Sequence, residues 1–181
     1  MNTYIALLRG INVSGKNRVP MAKLKETFAE LGFAEVKTYL QSGNVVFQTK
    51  KKSSTTKLAG EIEAAISRDF GHQVSVLVLT PEQLDAVAND NPLWPKSGGE
   101  ETHFHATFLF DSVSKATFDD LKLPAAEGER AVPFKGVVLL HCPHGYGRTK
   151  LNNAWFEKAL KVRATTRNWR TVLALQKLTE G

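Results

Sequence analysis

The segment "LLRGINVSGKNR", Leu7 to Arg18, concentrates residue types that hold phosphate: two glycines, two asparagines and the cations Arg9, Lys16 and Arg18. Read from Gly10 it has the G-x-x-x-x-G-K spacing with which a P-loop cradles a nucleotide. The next residue, Asn17, lacks the hydroxyl that would hold magnesium. Pro20 delays the helix start past Lys16, so amides and lysine cannot converge on one phosphate. No strand ends in an evident Walker-B aspartate, and the pattern excludes a P-loop NTPase. What remains is a loop longer than a strand-to-helix connection needs. Gly10, Asn12, Gly15 and Asn17 can turn backbone amides toward an anion as a nest, with Arg9, Lys16 and Arg18 neutralising its charge. The competing reading is a basic surface loop whose asparagines brace their own turns.

A second basic segment lies near the C-terminus. Met1–His144 holds 16 Lys/Arg against 16 Asp/Glu, whereas Gly145–Gly181 holds 8 against 2, so the whole excess of +6 sits in the latter. The spacing predicts helices over Lys150–Leu160 and Thr166–Leu178, capped by Thr149 and by Thr165 or Thr166. Arg148, Lys150, Arg167 and Arg170 would then crowd the positive helix ends, where acids are normally favoured. Arg163, Arg167 and Arg170 would share one face. A helix N-terminus reinforced by guanidinium groups suits an anion. Thr149, Lys150, Arg163, Thr166, Arg167 and Arg170 are therefore the second half of the expected anion site. A merely solvated basic face is the alternative. Tyr146, between two glycines, can stack on a base or ring.

Other candidates are weaker. His103 and His105 in "HFH" lie on one side of a strand, and "HCPH" adds His141, Cys142 and His144, all potential zinc ligands. No third element with ligand spacing accompanies them, and no metal or cofactor is expected. Cys142 between histidines is better explained as a buried structural thiol than as a nucleophile. Ser42 in "TYLQSGN" lacks the G-x-S-x-G context of a nucleophile elbow.

The elements that must carry these residues are legible from periodicity. "TYIALL" reads as a strand. "MAKLKETFAEL" sets Met21, Leu24, Phe28 and Leu31 at helical spacing before Gly32. "EVKTYLQSGNVVFQ" is two strands around a turn at Gln41–Asn44. "KLAGEIEAAISRDF" is a helix with Leu58, Ile62, Ala65 and Ile66 inward, and "HQVSVLVL" another strand. The order β-α-β-β-α-β is that of a ferredoxin-like unit, placed at residues 1–80. Residues 81–181 form a second, more helical α+β subdomain. Thr80-Pro81 starts a helix, "THFHATFLF" is a strand, and "ERAVPF" and "GVVLLHC" pair across Lys135–Gly136. Leu151, Trp155 and Ala159 are expected inward on the first closing helix. No internal sequence repeat is visible.

The chain has 181 residues, 42% hydrophobic and 23% charged, within the range of globular proteins. One cysteine excludes an internal disulfide framework and suits a reducing compartment. Tyr4–Leu8 is too short for a signal h-region, and no window reaches membrane-spanning length. The expected location is the cytoplasm.

The stretches "LLRGINVSGKNRVPMAKLKETFAELGFAEVKTYLQSGNVVF" and "GRTKLNNAWFEKALKVRATTRNWRTVLAL" resemble the N- and C-terminal signatures of the domain of unknown function 1697 family. The resemblance spans nearly the whole chain. It implies a bacterial-type cytosolic protein of two α+β parts with ferredoxin-like features, and no activity. Ser14 stands where the family pattern has glycine, and Arg148-Thr149-Lys150 where a Ser-Lys pair is usual. The expected function is binding of a phosphate-bearing partner, RNA or DNA or a phosphorylated small molecule, through the two basic segments. The alternative is a small-molecule enzyme that uses the Gly-rich loop as a phosphate or oxyanion cradle.

Overall fold

The computed structural model describes residues Met1–Gly181, which divide into two units: Met1–Leu84 with Ala174–Gly181, and Asp85–Leu173. The first unit contains β1 (Asn2–Leu8), α1 (Met21–Glu30), β2 (Ala34–Tyr39), β3 (Asn44–Thr49), α2 (Thr55–Phe70) and β4 (Val76–Leu79). Its strands form an antiparallel sheet in the order β2-β3-β1-β4. This is the ferredoxin-like topology expected from the element order.

Strand alternation turns Tyr4, Ala6 and Leu8, with Val45, Phe47, Val76 and Val78, into one core cluster. Leu24 and Phe28 of α1 and Leu58, Ile62 and Ile66 of α2 complete it at i, i+4 spacing. Phe47 stacks on Phe33 at 4.6 Å and meets Phe28 edge-on at 5.3 Å. Both helices have local stop signals. Ser54 caps α2 by accepting from the Lys57 amide, and Gly71 closes it at φ 71°. The Thr27 hydroxyl donates to Asp69 at 2.7 Å, tying α1 to α2.

After α3 (Pro81–Asn89), the second unit continues with β5 (Phe104–Leu109), α4 (Lys115–Asp119), β6 (Arg130–Phe134), β7 (Val137–His141), α5 (Asn153–Leu160) and β8 (Ala164–Asn168). α6 (Trp169–Glu180) follows at once. The second sheet has the order β6-β7-β5-β8, again antiparallel. The C-terminal part, from Pro81 on, carries four of the six α-helices, and its sheet repeats the topology of the first. Even the closing hydrogen bonds correspond. Leu8 N donates to Gly43 O at 2.9 Å and Arg9 N to Ser75 O at 2.9 Å. In the second unit Leu109 N donates to Gly136 O at 3.1 Å and Phe110 N to Arg163 O at 2.9 Å. No sequence similarity between the halves announces this repeat.

Three sequence expectations change. The region predicted as a helix from Thr166 is a strand, β8, paired with β5 from His105↔Asn168 to Leu109↔Ala164, and the helix begins only at Trp169. Thr165 and Thr166 are β-branched and favour an extended chain once a partner strand is present. The preceding helix begins at Asn153, not Lys150: Asn152, not Thr149, is the cap, its side chain accepting from Trp155 N. The buried face of α5 is Phe156 and Leu160, one residue on from the expected Trp155 stripe. No helix is long and apolar enough to cross a membrane.

Candidate functional site

In the first unit the loop from Arg9 to Pro20 is built from left-handed backbone. Gly10, Asn12, Ser14, Gly15 and Asn17 have φ of 67°, 53°, 49°, 75° and 48°. Three of these are not glycine, an uncommon density for an L-residue chain. Side chains offset the strain. Asn12 Nδ2 donates to Val19 O at 2.9 Å and to Gln41 O at 2.8 Å, while its Oδ1 accepts from Val19 N at 2.8 Å. Asn17 Nδ2 donates to Gly10 O at 3.0 Å. Ile11 and Val19 are buried beneath. At the tip, Lys16 N donates to Val13 O at 2.9 Å, with positive φ at Ser14 and Gly15, the pattern of a type I′ turn. Ser14 at φ 49° holds a left-handed conformation that glycine adopts more readily.

The asparagines are thus braces, and their amide groups are committed within the protein. The groups that face solvent are Lys16 and Arg18, neither of them paired with an acid. Arg9 is half-buried. The amides of Ser14, Gly15 and Arg18 donate to no protein acceptor. No acid precedes Glu26 in the sequence. α1 begins five residues after Lys16, so the absence of P-loop geometry follows directly. Two features escaped sequence reading: Val13 and Leu40 are exposed apolar residues, and each adjoins the Asn12–Gln41 hydrogen bond.

The C-terminal candidates belong to the second unit and are not gathered as expected. Arg163, Arg167 and Arg170 do not form a helical stripe, because Arg163 precedes β8, Arg167 lies on it and Arg170 is in the first turn of α6. Arg167 is buried, and its guanidinium donates to Thr165 Oγ1 at 2.7 Å and to Thr166 O at 3.0 Å. Burial lowers its pKa to about 10. Arg163 lies over the Phe110 ring at 5.0 Å. Arg170 pairs with Glu101 at 3.5 Å, which answers its position at the positive end of α6. Asn168 caps that helix by accepting from Thr171 N. Thr149 is buried and its hydroxyl accepts from Leu151 N. Lys150 is exposed.

Thr166 instead belongs to a polar seam on the sheet. Its hydroxyl bonds Thr107 Oγ1 at 2.8 Å and donates to Asn153 Oδ1 at 2.9 Å. Tyr146 is part of this seam. Its hydroxyl accepts from Asn153 N at 2.8 Å, and its ring stacks on His105 at 4.5 Å. The stacking surface offered by Tyr146 is therefore taken by His105. That imidazole is buried, its Nδ1 has no hydrogen-bond partner, and burial lowers its pKa to about 4.

The zinc candidates are likewise dispersed. His141 stacks on Phe104, His144 Nε2 meets Glu127 O at 3.0 Å, and Cys142 is fully buried with its thiol pushed up to about 11. No three His, Cys, Asp or Glu side chains are grouped to hold a metal ion. Ser42 accepts from Asn44 Nδ2 within its turn.

The frame is that of a two-unit α+β protein with a braced, basic strand-to-helix loop. The chain belongs to the DUF1697 family, described as a protein of unknown function, whose pattern matches residues 1–138. It is similar in fold to a conserved bacterial protein, SP0830 from Streptococcus pneumoniae, with 24% identity, 98% of each chain covered and a TM-score of 0.75. No curated protein matches it.

Proposed function

We propose that this protein binds a phosphate-bearing partner, with RNA or DNA the leading class, through the exposed face of the Gly10–Arg18 loop. The carrying observation is the braced tip, where Lys16 and Arg18 stand without acidic partners beside unsatisfied amides of Ser14 and Gly15. A loop already held by Asn12 and Asn17 loses little conformational entropy when a phosphate docks. Gly10 and Gly15 supply the backbone bends, and Arg9 adds charge at the base. Lys150, Arg163 and Arg170 lie in the second unit and are not part of the proposed loop site. Arg167, Thr149, Asn12 and Thr166 act in the framework. The small-molecule enzyme reading predicts a perturbed titratable group in an enclosed pocket. The most shifted groups, His105, Cys142 and Arg167, are buried in the second unit, away from the loop in sequence. Residence in the cytoplasm belongs to the same proposal.

The test is binding of labelled single-stranded RNA and duplex DNA across a salt series, for wild type and Lys16→Ala/Arg18→Ala. Affinity should fall steeply with salt. The double variant should bind about tenfold more weakly, with a log–log slope shallower by roughly 1.5, as for two lost phosphate contacts. Absence of binding at low salt, or an unchanged slope in the variant, refutes the proposal.

A further inference from the structure

The repeated sheet topology exposes a difference between equivalent places in the two units. In the first, Gly43 receives the Leu8 amide, and the site of a Cβ on Gly43 lies 2.7 Å from Ile11 Cδ1. The long β1–α1 loop thus folds Ile11 onto the sheet end and plugs it, leaving Ile11 only 2% exposed. In the second unit Gly136 holds the same hydrogen-bonding position, receiving the Leu109 amide. Only Phe110–Ser114 connects β5 to α4, and no side chain reaches the equivalent of Ile11: nothing lies within 4 Å of where a Gly136 Cβ would stand.

A cavity of about 230 Å³ is found there, walled by Leu109, Val113, Phe118, Phe134 and Val138. Lys115 and Lys135 stand among its lining residues. Their partners, Asp119 and Asp90, are exposed carboxylates, and such surface pairs exchange readily because each is worth little in water. Lys135 is held over the Phe134 ring at 4.9 Å, which keeps its charge beside the apolar wall.

We propose that this cavity is a binding site for a small organic acid, whose branched or aromatic body fills the place Ile11 fills in the first unit and whose carboxylate meets Lys115 and Lys135. The apolar wall selects the hydrocarbon, and the two ammonium groups select the charge. The site is independent of the Gly10–Arg18 loop, so either proposal can fail alone.

The experiment is titration of the ¹⁵N-labelled full chain with butanoate, 4-methylpentanoate, phenylacetate and the neutral 4-methylpentanamide. The expected result is shifts centred on the Leu109 and Gly136 amides. Affinity should rise about fourfold for each added methylene that the cavity accommodates, following the transfer free energy of that group. The amide should bind at least fivefold more weakly than its acid, and Lys115→Met/Lys135→Met, a surface double variant, should abolish that preference. Val113→Trp, which fills the cavity, should remove binding at unchanged thermal stability. The proposal is overturned if no acid shifts Leu109 or Gly136 at tens of millimolar. It is equally overturned if acid and amide bind alike, or if the lysine variant keeps the preference.

Discussion

At the scale of single residues, the loop shows how a side chain that looks like a ligand group becomes a structural one. Asn12 has one amide and uses all of it: two donations and one acceptance, to Val19 and Gln41. That commitment permits φ of 53° at Asn12 itself and fixes the loop against the β2–β3 turn. Removing it leaves partly buried backbone groups unpaired, which costs more than the bonds contribute net. Asn12→Ala should therefore destabilise the protein by about 1–3 kcal/mol in urea unfolding. It should also speed amide exchange across Gly10–Val19. A change below about 0.5 kcal/mol would mean that the loop is held by Ile11 and Val19 packing instead.

At the scale of elements, the two glycines that close equivalent hairpins should respond differently to the same substitution. Both have left-handed backbone, Gly43 at 84° and Gly136 at 83°, so alanine is strained at either. At Gly43 the new methyl would in addition stand 2.7 Å from Ile11 Cδ1 and from Leu8 Cβ, inside a packed core. At Gly136 it would enter open space. Gly136→Ala should cost about 1–2 kcal/mol, the conformational penalty alone. Gly43→Ala should exceed it by roughly 1–3 kcal/mol, the cost of overpacking. Equal losses in thermal or urea unfolding would contradict the plugged-versus-open contrast between the units.

At the scale of the whole molecule, acid sensitivity should be traceable to one buried ring. The folded protein holds His105 neutral down to about pH 4, whereas the unfolded chain protonates it near 6.5. Between these values the unfolded state binds more protons, so stability falls as pH drops from about 6.5 toward 4 and is fully present at neutrality. The size of the effect is on the order of 2–3 kcal/mol. His105→Phe keeps a ring against Tyr146 and removes the titration. Its unfolding free energy should lose about 2 kcal/mol less than wild type between pH 7 and pH 4.5. Parallel pH profiles for the two proteins would show that His105 is not the sensitive group. His141, lowered by partial burial, remains in the variant and supplies a smaller residual slope.

What could be read from the sequence alone was what local chemistry dictates. The β-α-β-β-α-β order, the inward faces of α1 and α2, the Lys135–Gly136 turn and the exclusion of a P-loop all follow from periodicity, caps and proline placement. The tertiary structure decided whatever depends on a partner far along the chain. β8 is a strand because β5 lies beside it, since five residues with two threonines have no strong preference of their own. Arg167 is buried, and Thr166 is bonded to Thr107, for the same reason: strand alternation assigns their faces, whereas helical spacing would have put the arginines together. The two basic segments lie in different units. The sheet repeat was invisible because topology is held by backbone hydrogen bonds, which many side-chain sequences satisfy equally well. So was the contrast between a loop that plugs its sheet end with Ile11 and a shorter one that leaves a cavity, because packing across a fold is decided by which groups meet in space.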